Sequence, residues 1–177
     1  MSLRYLSAGD SHGPGLTGIL DGLPAGLELD LDFVRAELAR RRKGFGRGAR
    51  QKIEEDEIEV TGGLWRGRTT GAPLALWIPN RGRVVDGRDG GGLKTVPRPG
   101  HADLAGALKY GLDEVAPVSE RASARRTTMR VALGAVAKLA LRECGVDFLS
   151  HVIGIGGVDA PPLGPDDDPA ALRARAR

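Results

Sequence analysis

Residues 3–26, "LRYLSAGDSHGPGLTGILDGLPAG", carry two apolar runs separated by a glycine-rich turn. "LRYLSA" (3–8) reads as one strand, and "LTGILDGLPAG" (16–26) reads as a second that ends in a Pro-Gly turn. Two β-type runs joined through Gly, Asp, Ser and Pro predict a hairpin, and therefore an antiparallel sheet at the start of the chain. "LDLDFVRAELARRRKG" (29–44) follows as a helix, with Asp32 as the expected N-cap, Val34 and Leu38 on one face, and Gly44 at its stop. "DEIEVTGGLWRG" (56–67) alternates at Ile58 and Val60 and then turns, and "APLALWIP" (72–79) is a strand stopped by Pro79. These two predict a second antiparallel pair.

Beyond Asn80 the chain loses its period. "NRGRVVDGRDGGGLKTVPRPG" (80–100) is a long loop rich in helix and strand breakers. It leads into a short helix, "HADLAGALKYG", and then into the strongest helical pattern of the chain, "ERASARRTTMRVALGAVAKLALREC" (120–144). There Val131, Ala135 and Leu139, with Met129, Leu133, Val136 and Ala140, cover a wide arc, so that helix is expected to be buried on most sides. "VDFLSHVIGIGG" (146–157) reads as a final strand, and the tail after it as a loop leading to a short helix capped by the Asp run. The order ββα, ββ, loop, αα, β lacks the alternation of a doubly wound sheet and indicates α+β, with antiparallel strands packed on long helices. No internal repeat is present.

Composition narrows the class. The 177 residues are 41% hydrophobic and 4% aromatic, so the core must rest on Leu, Val, Ile and Ala. The single cysteine, Cys144, rules out an internal disulfide and suits a reducing compartment. No apolar run approaches the ~20 residues of a membrane span, and the N-terminus lacks the regions of a signal peptide. A soluble cytoplasmic protein with no membrane partner is expected. The net charge is +3, with arginine outnumbering lysine 21 to 5 among the 26 basic residues. Arginine grips phosphate and carboxylate bidentately.

The run "RRRKGFGRGAR" (40–50) has three readings. It is the solvated last turn of a helix, where cations favour the dipole. It is a nucleic-acid contact, because Arg-Gly clusters attract phosphate backbones. Or it is a small-polyanion site, in which Gly44, Gly46 and Gly48 admit the ligand and Arg41, Arg42, Arg47 and Arg50 ring it. Phe45 stands alone in the run and the rest of the chain is nearly charge-balanced, which counts against nucleic acid. "RASARR" (121–126) adds a second basic cluster at the expected start of the long helix, where free N–H groups suit a phosphate. His12 and His101 both stand in loops at element ends, where catalytic groups often sit, although a lone loop histidine is as readily a surface residue. His151 falls within the expected final strand and reads as structural. Two arginine clusters with two loop histidines point to a small, multiply charged anion.

The motifs "AGDSHGPGLTGILDGLPAG", "RRRKGFGRGARQKIE", "TTGAPLALWIPN", "RPGHADLAGALKYG" and "ERASARRTTMRVALGAVAK" resemble, in order, those of the chorismate synthase family, over residues 1 to about 157. That resemblance implies a β-α-β sandwich, a helical layer between antiparallel sheets, assembled as a homotetramer. It implies a 1,4-elimination of phosphate from 5-enolpyruvylshikimate 3-phosphate, giving chorismate on the route to aromatic amino acids. The reaction needs reduced FMN without net redox change, with NADPH as one source of the reductant. His12 matches the family histidine that protonates the flavin, with Gly9 and Gly13 letting its turn approach and Ser11 bonding within the turn or to the ligand. His101 matches the general acid toward the departing phosphate. Arg121, Ala122 and Ser123 match an FMN-contact segment. Arg41 and Arg47 match anion-binding arginines that are also described as nicotinamide-cofactor contacts, and Arg125 stands close enough to help with phosphate. No metal site is implied. Arg126 stands where the family usually has Glu. The family continues for about as much chain again, so the resemblance covers its N-terminal half. The chain is then expected to be a single partial domain over 1–177 with a polar tail at 159–177. The alternative is a truncated, non-catalytic anion-binding fragment of the same family.

Overall fold

Strands β1 (Arg4–Ala8) and β2 (Gly15–Asp21) form the expected hairpin, paired antiparallel from Arg4 opposite Asp21 to Ala8 opposite Thr17. The computed structural model describes residues 2–43, 56–81, 93–162, 164, 167–169 and 171–172. Their contacts divide the chain into two compact units, Met1–Ala140 and Leu141–Arg177.

In the first unit the chain continues through β3 (Ala25–Glu28), α1 (Leu31–Arg42), β4 (Glu59–Gly62), β5 (Leu64–Trp65), β6 (Arg68–Thr70) and β7 (Leu74–Pro79). Helices α2 (Asp103–Tyr110), α3 (Ala116–Arg121) and α4 (Arg126–Arg142) follow. The main sheet has the order β1-β2-β7-β4, antiparallel throughout, so the two predicted strand pairs are joined through β2 and β7. A smaller sheet has the order β3-β6-β5. The fold is α+β, as the element order predicts.

Period-two alternation decides which face is core. Leu16 and Leu20 on β2 and Leu74, Leu76 and Ile78 on β7 are all buried, and they join one cluster with Met129, Leu133 and Val136 of α4. Each such side chain contributes about 1.5–3 kcal/mol when fully buried. Gly18 lies where α4 crosses the sheet: a Cβ there would stand 2.4 Å from Met129 Sδ and 3.1 Å from Leu133 Cδ1. The opposite face and outer edge of the hairpin are open, with Tyr5 and Leu6 exposed on β1.

Several expectations are corrected. β2 ends at Asp21, and the residues read as its Pro-Gly turn run into a separate strand, β3, paired with the unpredicted β6. The N-cap of α1 is Asp30, whose Oδ1 accepts from Phe33 N at 2.9 Å. Asp32 already lies in the first turn, where its carboxylate accepts from Arg35 Nη1 at 2.6 Å. Val34 and Leu38 share the buried face as read, while the expected stop at Gly44 lies outside the described residues. The helix predicted from Glu120 is broken over 122–125, and α4 starts only at Arg126. Arg126, Thr127 and Thr128 donate their N–H groups to the carbonyls three residues back, a tight turn that carries Arg125 inward. From there α4 buries Met129, Leu133, Ala135, Val136 and Leu139 of the predicted arc, while Val131 and Ala140 are only partly buried at its edge.

In the second unit, residues 146–153 form no regular element. The expected strand is reduced to Gly154–Ile155 (β8), paired antiparallel with Val158–Asp159 (β9). His151 is exposed and lies before β8, not within a strand. At the tail, Asp168 Oδ2 accepts from Ala171 N at 3.3 Å and caps a helical turn, as the Asp run suggests.

Candidate functional site

The turn between β1 and β2 is built to hold one imidazole. Gly9 has φ +109°, and a Cβ there would meet Gly15 O at 2.4 Å, so the turn closes only with glycine at that point. The amide nitrogen of Asn80, just past β7, donates to Asp10 O at 2.9 Å and Gly13 O at 2.8 Å. On the other side stands Glu120, near the end of α3. Its Oε2 accepts from Ser11 Oγ at 2.6 Å and from His12 N at 2.9 Å, and its Oε1 lies 2.8 Å from His12 Nδ1. Burial opposes ionisation of Glu120, but the donors on Ser11 and His12 outweigh it and hold the carboxyl below its usual range.

The second imidazole is held locally. Asp103 opens α2 and is 1% exposed. Its Oδ2 accepts from Arg98 N at 3.1 Å and Arg98 Nε at 3.0 Å, and its Oδ1 lies 2.5 Å from His101 Nδ1. The Arg98 side chain, against the opposing cost of burial, drives the Asp103 carboxyl far below the usual carboxylate range, and the Arg98 N–H and His101 assist. An ionised carboxylate can only accept, so Nδ1 of His101 donates to it. Arg98 Nη2 also donates to Ser119 Oγ. Ser119 and Glu120 are neighbours on α3, so the networks of both histidines end on that short helix.

The arginines are held just as firmly. Arg121 donates to Ser7 O at 2.5 Å. Arg125, its side chain 7% exposed, donates through Nε to Asn80 Oδ1 at 2.8 Å and through Nη1 to Asp56, whose side chain is 2% exposed. Arg41 donates to Thr127 Oγ1 at 3.1 Å and Ala124 O at 2.9 Å. Ser123 Oγ accepts from Arg125 N at 3.3 Å. Arg121 and Ala122 line an open cavity of about 470 Å³ with Ala102, Gly106, Tyr110 and Arg126. Its walls are mostly apolar, and Lys109, Arg121 and Arg126 are the cations among them.

A family model described as chorismate synthase matches residues 3–176. The chain belongs to the chorismate synthase family. It is 52% identical over 172 residues to the chorismate synthase of Geobacillus kaustophilus, covering 91% of this chain and 44% of that protein. It is 51% identical over 168 residues to that of Streptococcus sanguinis, covering 89% and 43%. A crystal structure of chorismate synthase superposes with a TM-score of 0.62 at 39% identity, over 83% of this chain and 36% of the other. The chain thus spans less than half the length of the curated relatives it matches.

In this member of the chorismate synthase family, His12, His101, Arg121, Ala122, Ser123 and Arg125 are drawn together by α3 and the turn after it, and Arg41 reaches the same turn. Arg47 lies outside the described residues. The sequence reading passed over Glu120, Asp103, Asn80 and Asp56. Asp103 had a signal, being two residues from His101 in a Gly-His-Ala-Asp turn. Glu120, Asn80 and Asp56 meet their partners across the fold and had none. No helix among the described residues is long and apolar enough to cross a membrane.

Proposed function

We propose that this chain carries the two proton-handling histidines of an enzyme that eliminates phosphate from 5-enolpyruvylshikimate 3-phosphate to give chorismate. The observation that carries the reading is the pair of imidazoles, each anchored through Nδ1 by a carboxylate and each tied to α3. His12 keeps Nε2 for proton transfer, whereas Nε2 of His101 lies 3.3 Å from the Arg98 guanidinium, which also holds Asp103. An imidazole titrates near working pH. His101 acts as general acid toward the leaving phosphate and His12 as the proton donor at the flavin. Arg41 and Arg47 serve the anionic substrate and also suit the phosphates of NADPH. Arg125, enclosed by Asn80, Asp56 and Pro79, meets the expectation of a phosphate contact only as support for the turn that Arg41 also reaches. The cavity beside Arg121 and Ala122, lined by apolar residues and by Arg126, suits a planar ring with an anionic tail. Reduced FMN bound there would supply and recover an electron within the cycle. The assembly that fits the family is a homotetramer in the cytoplasm.

A second reading, an anion-binding fragment without turnover, rests on the arginines fixed around the turn after α3. One experiment separates the two. The chain alone, and the chain joined to the remaining part of the Geobacillus kaustophilus relative, are given substrate and reduced FMN without oxygen. Phosphate release by the joined protein, falling 10²–10⁴-fold in His12→Ala or His101→Ala, is expected. The chain alone is expected to bind FMN weakly and to release no phosphate. Absence of release from the folded, joined protein would overturn the enzymatic reading, and binding without release would favour the fragment.

A further inference from the structure

Three donors of one turn converge on a single carboxylate. Ser11 Oγ–H and His12 N–H point to Glu120 Oε2, at 2.6 and 2.9 Å, and His12 Nδ1 lies 2.8 Å from Oε1. We propose that Glu120 is a positioning residue that fixes neutral His12 as its Nδ1–H tautomer and leaves the Nε2 lone pair facing outward. An ionised carboxylate accepts at both oxygens and donates at neither, so Nδ1 must carry the proton if it is to bond. The ring is partly exposed, and Nε2 has no hydrogen-bond partner among the described residues. The depressed carboxyl of Glu120 agrees with this geometry. The rival for control of Nδ1 is Ser11 Oγ, which lies 3.2 Å away, at the long end of hydrogen-bond range. Ser11 already has a shorter acceptor in Glu120, so its proton is not directed at the ring.

A glutamine cannot copy this arrangement. Its amide offers one accepting oxygen and one donating nitrogen, and three donors need both ends to accept. Glu120→Gln keeps the size of the side chain. Two of the three donors lie at the Oε2 position, so the amide oxygen turns to Ser11 and the backbone N–H, and its donating nitrogen faces Nδ1. What Nε2 then does, taking or giving a proton at a bound flavin, rests on the function proposed above; the tautomer does not.

The test is the nitrogen spectrum of the imidazoles in the 177-residue chain, at about pH 8.5, well above the ordinary imidazole pKa. No substrate or flavin is present, so a protein without turnover still gives an answer. The His12 signals are assigned by their disappearance in His12→Gln. The expected spectrum has Nδ1 protonated and Nε2 bare, with the two tautomers at about tenfold or more in that sense. Ser11→Ala keeps that tautomer, and Glu120→Gln collapses the ratio. A wild-type His12 protonated at Nε2, a loss of Nδ1–H in Ser11→Ala, or its persistence in a folded Glu120→Gln would overturn the proposal. Should Glu120→Gln fail to fold, the wild-type and Ser11→Ala spectra decide it.

Discussion

His12 and His101 are each bonded through Nδ1 to a carboxylate, but the first pair joins residues 108 positions apart and the second joins residues two apart. The local pair is a property of the loop: Arg98, His101 and Asp103 satisfy one another wherever that loop enters α2. The distant pair is a property of the fold. It exists only when α3 reaches the β1–β2 turn and Asn80 holds that turn from behind. One imidazole is prepared by a few neighbouring residues, and the other becomes prepared only as the sheet and helices close. The difference can be broken or sharpened by substitution.

The largest effect is expected at Arg125. Arg125→Ala leaves Asp56 buried without its closest cation and Asn80 Oδ1 without its donor. Removing one partner of a buried pair costs about 3–5 kcal/mol. A urea titration reads the loss, and the His12 resonances should move while those of His101 stay in place. Equal movement of both would erase the distinction between the pairs.

Asp103→Asn comes next. It weakens charge-assisted bonds to Arg98 and His101, and its urea midpoint should fall by less than that of Arg125→Ala because the Arg98 guanidinium is largely exposed. Acid titration supplies a second measure. The folded Asp103 carboxyl lies below its ordinary 3.8, so its contribution is complete above that value and is lost as pH falls below it. Glu120 behaves in the same sense, from its ordinary 4.5 downward. Stability of the wild type should therefore fall below about pH 5. Asp103→Asn should flatten the lower part of that slope and Glu120→Gln the upper part. An unchanged acid slope in both variants would show that neither pair is linked to folding.

The smallest effect is a control. Asp30→Ala removes the cap of α1, far from either histidine in the bonding network, and should cost about 1 kcal/mol without moving either imidazole signal. A shift at His12 would mean that the turn responds to any loss of stability and not to its own clamps.

These contrasts also explain what was legible in the sequence. The apolar runs of β1, β2 and β7, bounded by glycine and proline, and the alternation at Ile58 and Val60 reported the antiparallel sheet, and one face of β2 and β7 is buried in a single cluster with α4. Strands β3, β5 and β6 are four, two and three residues long and carry no period to detect. The break before α4 was hidden because "RASARR" contains no glycine or proline. At that break Arg125 is buried against a distant acid, Asp56, a partner that nothing in the local sequence announces. The histidines stood out by their Gly- and Pro-rich turns, and Asp103 was within reach of a local reading. Glu120 was not, since nothing near residue 120 mentions residue 12.

The open edge of β1 has a consequence of another kind. Among the described residues, β1 is bonded on one side only, and Tyr5 and Leu6 are exposed along it. Backbone groups on that side, left to water, form a template for any extended segment they meet. A second copy paired along that edge would make folding a mass-action equilibrium, and the melting temperature would then rise with the amount of protein in the tube.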